Sequence, residues 1–216
     1  MNTLDFILKK YDLSYIPRTV QMSPTEIPNM GRENLPALFN ELGFKTGAEI
    51  GVFSGRYSRS LCKGIPGVKL FCVDSWRAYA PSYRDLQDQA ELNRAKKDAY
   101  ERLAPFNVQI IEKFSAAAVC DFEDNSLDFV YIDGNHEFPF VTFDIIEWSK
   151  KVRSGGIVSG HDYYETITQN SRCHVIPAVL AYTRAYKIVP WFVIGTKAMD
   201  PGIIRDGKRS WMWVKP

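Results

Sequence analysis

Short apolar runs alternate with amphipathic segments along most of this chain, and this alternation limits the possible folds more than any other feature. The chain contains five such runs, namely TGAEIGV, VKLFCVD, NVQIIE, LDFVYID and GGIVSGHD, and a helical segment separates each from the next. Near-continuous apolar strands separated by helices are typical of a parallel sheet covered on both faces. The sequence therefore predicts a doubly wound α/β fold.

After the fifth run the pattern changes. CHVIPAVLAYTRAY is a predicted helix, whereas KIVPWFVIG and SWMWVKP are predicted strands with no helix between them. Such a pair forms a hairpin, and many parallel sheets end in an antiparallel edge strand. We expect a Rossmann-like, mostly parallel seven-stranded sheet with one antiparallel edge strand, built by residues 31–216 as a single domain. Residues 1–30 are expected to form an N-terminal arm, which is extended and proline-rich from residue 14 onward.

Composition excludes several classes of protein. A formal net charge of +2 gives no reason to expect binding to nucleic acid or to an anionic membrane. No apolar run approaches transmembrane length, and Lys9 and Lys10 end the first apolar run too early for a signal peptide. The four cysteines include no C-x-x-C pair, which argues against zinc. We expect a cytoplasmic protein with reduced thiols, in which Cys72 and Cys120 are small buried hydrophobes.

Ligands of doubly wound sheets bind at the carboxyl ends of the strands, so the residues after each strand are the candidates for function. The first predicted strand leads into Glu49, Gly51, Phe53 and Gly55. Gly51 permits a tight turn, whereas Phe53 occupies the position of the second glycine in a dinucleotide fingerprint and would obstruct a pyrophosphate. The carboxylate of Glu49, which can only accept hydrogen bonds, could attract an ammonium or sulfonium cation beside this loop. The loop thus suits a ligand without phosphates, although an ordinary glycine turn is the alternative.

The second and third strands end in candidates for nucleoside binding. Asp74 lies 23 residues after Gly51, the spacing of the carboxylate that accepts ribose hydroxyls in nucleoside-binding folds. Trp76 would cover an adenine face, and Ser115 would hydrogen-bond the adenine amine. The alternative is that Asp74 caps a turn and that Trp76 belongs to the core.

The fourth and fifth strands each end in an aspartate with a nearby histidine. Asp133 precedes His136 by three residues, and His161 directly precedes Asp162. A carboxylate and an imidazole at a strand end can hold a metal or move a proton. Since neighbouring strands lie about 5 Å apart, Asp133 and Asp162 could face one magnesium ion. Local hydrogen bonds, with Asn135 capping the next helix, are the alternative.

These segments resemble the class I methyltransferase superfamily, and more narrowly a small-domain family that includes sugar and antibiotic O-methyltransferases. The resemblance spans roughly residues 31–165 and rests on EIGVFSGRYSRSL, on FCVDSW and on LDFVYIDGNHEF…DIIEWSKKVRSGGIVSGHDYY. It implies S-adenosylmethionine as cofactor. The residues predicted to bind that cofactor are Glu49, Gly51, Phe53, Ser54, Gly55, Asp74, Ser75, Trp76, Ser115, Ala116 and Asp133.

The resemblance also implies roles for these residues. Glu49, Gly51 and Gly55 would surround the methionine part of the cofactor, and Asp133 would face its methyl group. Several relatives hold a divalent metal at the positions of Asp133 and Asp162, which makes magnesium a candidate here. Some of them carry a further acidic residue where this chain has His161, and that departure weakens the metal assignment.

Methyl transfer requires an aligned and activated acceptor oxygen. His136 is the candidate base, while Asp133 and Asp162 would orient the acceptor or hold magnesium. The segment with Tyr79, Tyr83 and Arg84 is a candidate lid, and a solvated helix is its alternative.

The resemblance favours a small-molecule acceptor, either a sugar or another hydroxylated metabolite. The competing functions are a nucleotide-cofactor (NAD-type) oxidoreductase and a non-catalytic module that retains the cofactor pocket. For a homo-oligomer, the candidate surfaces are the proline-rich arm and the tryptophans Trp191, Trp211 and Trp213.

Overall fold

A mixed sheet forms the centre of the computed structural model, which describes residues 1–13, 24–27, 29–78, 88–165, 173–195 and 206–216. Within these ranges the sheet has eight strands in the order β1-β7-β8-β6-β5-β2-β3-β4. The strands are β1 (Thr25–Ile27), β2 (Thr46–Ile50), β3 (Lys69–Val73), β4 (Val108–Ile111), β5 (Leu127–Ile132), β6 (Val152–Gly160), β7 (Phe192–Ile194) and β8 (Ser210–Val214).

The predicted fold class, a mostly parallel Rossmann-like sheet, is confirmed. Strand β8 pairs antiparallel with both β6 and β7, whereas the pairs on the other side of β6 are all parallel. The antiparallel strand therefore lies inside the sheet instead of at its margin. The eighth strand is β1, which pairs in parallel with β7 and forms the edge. The sequence did not predict β1, because a strand of three residues in a proline-rich stretch shows no periodicity.

Helices cover both faces of the sheet. They are α1 (Thr3–Lys10), α2 (Leu35–Glu41), α3 (Arg56–Gly64), α4 (Gln89–Leu103), α5 (Ser115–Ala118), α6 (Phe138–Lys151) and α7 (Val175–Ala185). Residues from α1 to α4 pack on one face around Phe129 and Tyr131, and residues from α5 to α7 pack on the other around Val130 and Ile132. Alternate residues of β5 thus serve opposite cores, as the pleat of a strand requires.

The described parts of the first 30 residues belong to this packing. Ile7 of α1 is fully buried, and the Thr3 hydroxyl donates a hydrogen bond of 2.6 Å to the carbonyl of Gly155. Ile27 and Met30 are also buried. The domain boundary at residue 31 stays a prediction, but in these parts the chain does not stand apart from the domain. Residues 14–23 and 28, with Pro17 and Pro28, lie outside the described residues, as does the predicted lid at 79–87.

Two predictions about side-chain burial are wrong. Trp191, Trp211 and Trp213 are at most 2% exposed, because they lie in the core between the sheet and α7, so they form no dimer surface. All four cysteines are unpaired, and Cys72 is buried as expected, but Cys120 is exposed. No helix in the described ranges has both the length and the apolar content that crossing a bilayer requires.

The direction in which successive strands are added to the sheet reverses at β2, whose neighbours are β3 on one side and β5 on the other. From β2 the chain moves outward through β3 and β4 and then returns to the other side of β2 as β5. Such a reversal leaves a crevice outside the carboxyl ends of the strands, where doubly wound proteins bind their ligands. The sheet therefore brings the loops after β2, β3, β4 and β5 to one crevice.

Candidate active site

The loop after β2 passes very close to the end of β5. Gly51 has a φ of +91°, and a Cβ atom there would lie 2.1 Å from the carbonyl oxygen of Asp133, so a side chain is excluded. Phe53 also has a positive φ of +49°, as do Trp76 and Asp162 at other strand ends. Such backbone conformations are costly for residues other than glycine, and they concentrate at functional sites.

Asp74 fixes this loop through its backbone. One carboxylate oxygen accepts hydrogen bonds from the N–H groups of Val52 and Phe53, at 3.0 and 2.8 Å, and the other accepts from the N–H of Trp76 at 2.8 Å. Burial raises the pKa of Asp74, and these backbone donors oppose that rise. Asp74 thus both caps the turn and lines the crevice.

The crevice itself is a concave cleft lined by residues at the ends of four strands, and small-molecule sites are typically concave clefts. Six of the predicted cofactor residues line it, namely Gly51, Phe53, Asp74, Ser75, Ser115 and Asp133. Sequence reasoning did not assign the other lining residues, Ile50, Val73, Arg77, Leu92, Lys113, Phe114, Gly134, Asn135 and Asp144. Six of these nine residues end a strand or follow one by two or three residues, which is the signal that could have identified them.

The other predicted cofactor residues do not line the cleft. Glu49 is 1% exposed, accepts a short hydrogen bond from the Ser58 hydroxyl and has its pKa raised by burial to about 8. Trp76 is 2% exposed, and its indole N–H donates to the Phe53 carbonyl at 2.7 Å. Both side chains therefore support the loop from behind. Ser54 and Gly55 follow in the loop, and Ala116 lines an adjoining groove.

A cluster of acids and histidines adjoins one end of the cleft. His136 Nε2 lies 3.1 Å from an oxygen of Asp162 and 3.6 Å from an oxygen of Asp133. His161 Nδ1 lies 3.1 Å from the same Asp162 oxygen and 3.7 Å from Asp133. The backbone N–H of His174 donates to the carbonyl of His136 at 2.8 Å, which fixes the loop that carries this imidazole. The structure thus brings together Asp133, His136 and Asp162, as the sequence predicted.

The charges in this cluster depend on one another. Burial alone would lower the pKa of His136, but hydrogen bonds with Asp133 and Asp162 overcome it and raise that pKa to about 10. Although burial opposes it, hydrogen bonds from His136 and His161 hold the pKa of Asp162 well below its usual range. In this arrangement His136 therefore carries a proton at neutral pH.

Arg32 is a member of this cluster that sequence reasoning missed. Its guanidinium lies 3.5 Å from Asp133 and 3.2 Å from His161 Nε2, and it stacks 4.2 Å from the ring centre of Tyr57. The turn before α2 places it over the ends of β5 and β6, and no motif in RENLPALF marks it.

Lys208 approaches Asp162 at 3.4 Å from the far end of the chain. Two cations thus partly compensate the two carboxylates.

The cluster also has the donors of a metal site. One ligand atom each from Asp133, His136 and Asp162 lie within 4.8 Å of one another. Carboxylate oxygens suit magnesium, and an imidazole nitrogen suits softer divalent metals. The residues present therefore fit a divalent cation in donor type and spacing.

Solved structures of similar fold include several named for methyl transfer. An O-methyltransferase from Bacillus cereus in complex with SAH has a TM-score of 0.61 at 15% identity, covering 99% of this chain and 90% of that chain. The O-methyltransferase TomG from Streptomyces achromogenes, involved in tomaymycin synthesis and solved with SAM, has a TM-score of 0.58 at 15% identity, with coverage of 86% and 79%.

A spermidine synthase from Thermotoga maritima also has this fold, with a TM-score of 0.53 at 16% identity, covering 85% of this chain and 59% of that chain. Likeness at these identities concerns the fold alone, and one fold carries more than one reaction. The sequence matches none of the curated proteins with which it was compared.

A sequence-family match narrows the assignment. The model described as "Methyltransferase domain" matches residues 48–163, which is more than half of the chain and runs from β2 past the end of β6. These are the elements that build the cleft and the acid–histidine cluster. The predicted class of enzyme, an S-adenosylmethionine-dependent methyltransferase, is thereby confirmed, since the chain belongs to the methyltransferase-domain family.

Proposed function

We propose that this enzyme transfers the methyl group of S-adenosylmethionine to a hydroxyl oxygen of a small acceptor, a sugar or another hydroxylated metabolite. The main observation that supports the proposal is that Asp133 belongs both to the cleft and to the acid–histidine cluster. This residue lines the cleft with Asp74 and Ser115, and it also lies within 3.7 Å of both histidines of the acid–histidine cluster. A donor in the cleft and an acceptor at the cluster would therefore meet at Asp133.

The cleft supports a nucleoside donor. The proposed contacts are the ribose hydroxyls with the Asp74 carboxylate, adenine near Phe114 and Ser115, and the methionine part beside Gly51. Phe53 in the turn does not suit a pyrophosphate. The match to the methyltransferase-domain family argues against the alternative function, a nucleotide-cofactor oxidoreductase.

The cluster supports a hydroxyl acceptor. A neutral hydroxyl becomes a good nucleophile only when a base takes its proton during methyl transfer. We assign that role to His136, because an acceptor hydroxyl that replaces one of its carboxylate contacts would receive an imidazole nitrogen in hydrogen-bond reach. Asp133 and Asp162 would then orient the acceptor and balance the charge of the imidazolium formed.

Magnesium remains part of the proposal. Asp133 and Asp162 would hold the ion, with His136 nearby. When bound, a divalent cation would lower the pKa of the acceptor hydroxyl. The cytoplasmic location also stays a prediction, and the four unpaired cysteines agree with it.

A transfer assay tests the proposal. The purified protein is incubated with methyl-labelled S-adenosylmethionine and a panel of hydroxylated sugars and phenols, with and without EDTA followed by added magnesium. We expect labelled product with at least one acceptor, loss of product in Asp133→Asn, and full activity in the exposed control Asp124→Asn. A folded wild-type protein that binds neither S-adenosylmethionine nor S-adenosylhomocysteine would contradict the proposal. Binding without transfer to any acceptor would favour the non-catalytic module.

A further inference from the structure

Asp144 is a buried carboxyl group on the wall of the cleft that the proposed mechanism does not use. It lies in the second turn of α6, is 4% exposed and lines the cleft beside Ser115. Buried carboxyl groups are usually paired with a cation. In the described part of the chain, the interaction that offsets the burial of Asp144 is a hydrogen bond with the Ser115 hydroxyl. This hydrogen bond uses one carboxylate oxygen, Oδ1, and leaves the binding partner of the other, Oδ2, to be identified.

A chain of hydrogen bonds fixes which oxygen of Asp144 is available. The indole N–H of Trp148 donates to Ser115 Oγ at 2.8 Å, and that hydroxyl donates a short hydrogen bond to Asp144 Oδ1. An indole nitrogen can only donate, and a hydroxyl has one proton. When Asp144 is ionised, the Ser115 hydroxyl is therefore the donor and Oδ1 the acceptor of this hydrogen bond. For Oδ2, no hydrogen-bond partner is found among the described residues.

The second oxygen points toward the ligand side. A Cβ atom built on Gly134 would lie 3.6 Å from Asp144 Oδ2, and Gly134 itself lines the cleft. Ser115 follows β4 and Gly134 follows β5, whereas Asp74 follows β3. A nucleoside whose ribose rests on Asp74 would thus extend its base toward the region where Asp144 Oδ2 faces the cleft.

We propose, resting on the function proposed above, that Asp144 Oδ2 accepts a hydrogen bond from the exocyclic amine of the donor's adenine and so selects adenine over 6-oxo purines. Ser115 is the weaker candidate for this contact, because its proton is already committed. Burial raises the pKa of Asp144 to about 7, so the ionised acceptor is accessible at neutral pH and the amine would stabilise it.

Calorimetry with two ligands tests this role. The affinities of S-adenosylhomocysteine and S-inosylhomocysteine are measured for the wild type, for Asp144→Asn and for the control Glu147→Gln, a substitution at a half-exposed position of the same helix. In D144N, the orientation that keeps an acceptor for the Ser115 hydroxyl places the amide oxygen at the Oδ1 position, so the amide N–H₂ faces the cleft and repels the adenine amine. We expect the preference for the adenine ligand to fall by at least about tenfold in D144N and to stay unchanged in E147Q.

The outcomes separate the two proposals. If the wild type binds S-adenosylhomocysteine but a folded D144N keeps the wild-type preference, Asp144 is only structural and this inference fails alone. If the wild type binds neither ligand, the proposed function fails as well. If thermal unfolding shows that D144N does not fold, the wild type is tested with S-adenosylhomocysteine dimethylated at N6, which has no N–H to donate. At least about tenfold weaker binding of that ligand supports the role, and equal binding overturns it.

Discussion

Asp74 and Asp162 both follow strands of the same sheet, yet different partners hold them. Three backbone N–H groups bind the carboxylate of Asp74. The carboxylate of Asp162 faces His136 and His161 at 3.1 Å and Lys208 at 3.4 Å. Backbone N–H donors do not change charge with pH, whereas an imidazole can gain or lose a proton. The Asp74 end of the cleft is therefore preorganised, while the Asp162 end can redistribute protons.

This difference matches the two tasks that methyl transfer sets. The donor has to be bound in one fixed orientation, which a rigid loop favours because little ordering is required on binding. The acceptor has to lose a proton in the course of the reaction, which requires groups whose charge can change. Substitutions at the two ends should thus affect binding and turnover separately.

The largest expected effect is that of Asp74→Ala on donor binding. The substitution removes the acceptor of the Val52, Phe53 and Trp76 N–H groups together with the proposed ribose contact. We expect a loss of affinity for S-adenosylhomocysteine of about 100-fold or more, since hydrogen bonds to charged groups contribute about 1.5–3 kcal/mol each. Isothermal calorimetry measures it, with far-UV circular dichroism as the check on folding and the exposed Asp124→Asn as control. Unchanged affinity would remove Asp74 from the site.

The next largest effect concerns His136→Gln and turnover. Loss of a general base lowers kcat by about 100-fold or more, while the donor affinity should stay within about twofold because His136 does not line the cleft. Steady-state kinetics and calorimetry give the two numbers. His161→Gln is the matched comparison, since that imidazole faces Arg32 at 3.2 Å, and its kcat should fall less. Equal losses of kcat and donor affinity in H136Q would make His136 a binding residue.

A smaller effect is expected from Arg32→Met. The substitution keeps the apolar stem over Tyr57 but removes the positive charge 3.5 Å from Asp133. Without that charge Asp133 holds the His136 proton more strongly, so kcat should fall by about tenfold, with donor affinity nearly unchanged. Arg32→Lys should recover part of the loss, and the exposed Arg59→Met should have none. A loss of affinity as large as the loss of kcat would place Arg32 at the donor end instead.

The same comparison explains which parts of the site the sequence made predictable. Gly51 and Asp74 directly follow apolar strands, and Ser115 comes four residues after one, so their place at the crevice depends mainly on the parallel sheet and its strand order. Local spacing does not determine which way a side chain points. Glu49 and Trp76 were expected to face the ligand, but the pleat of β2 and a left-handed turn direct them into the protein.

Residues that reach the site through packing could not be predicted. Arg32 arrives from the turn before α2, and Lys208 comes from the segment before β8, so neither has a neighbouring motif. Asp144 belongs to a helix that was predicted correctly, but its approach to the cleft depends on how α6 is rotated about its axis against the sheet. The sheet edge was missed for a similar reason, because β1 is stabilised by pairing with β7 and by no pattern of its own.

A third buried carboxyl, Glu49, extends the comparison and gives the smallest predicted effect. It is held by a single hydroxyl, that of Ser58, and burial raises its pKa from 4.5 to about 8. Between these values the folded state keeps a proton that the unfolded state has lost, so the free energy of unfolding decreases as pH rises, by up to about 1.4 kcal/mol per pH unit from this group.

Glu49→Gln retains an acceptor for Ser58 but cannot ionise. Its stability relative to the wild type should therefore increase from pH 5.5 to 8, as urea unfolding at several pH values would measure. The exposed control Glu101→Gln should run parallel to the wild type, and a parallel curve for E49Q would mean that Glu49 is already ionised in the folded protein.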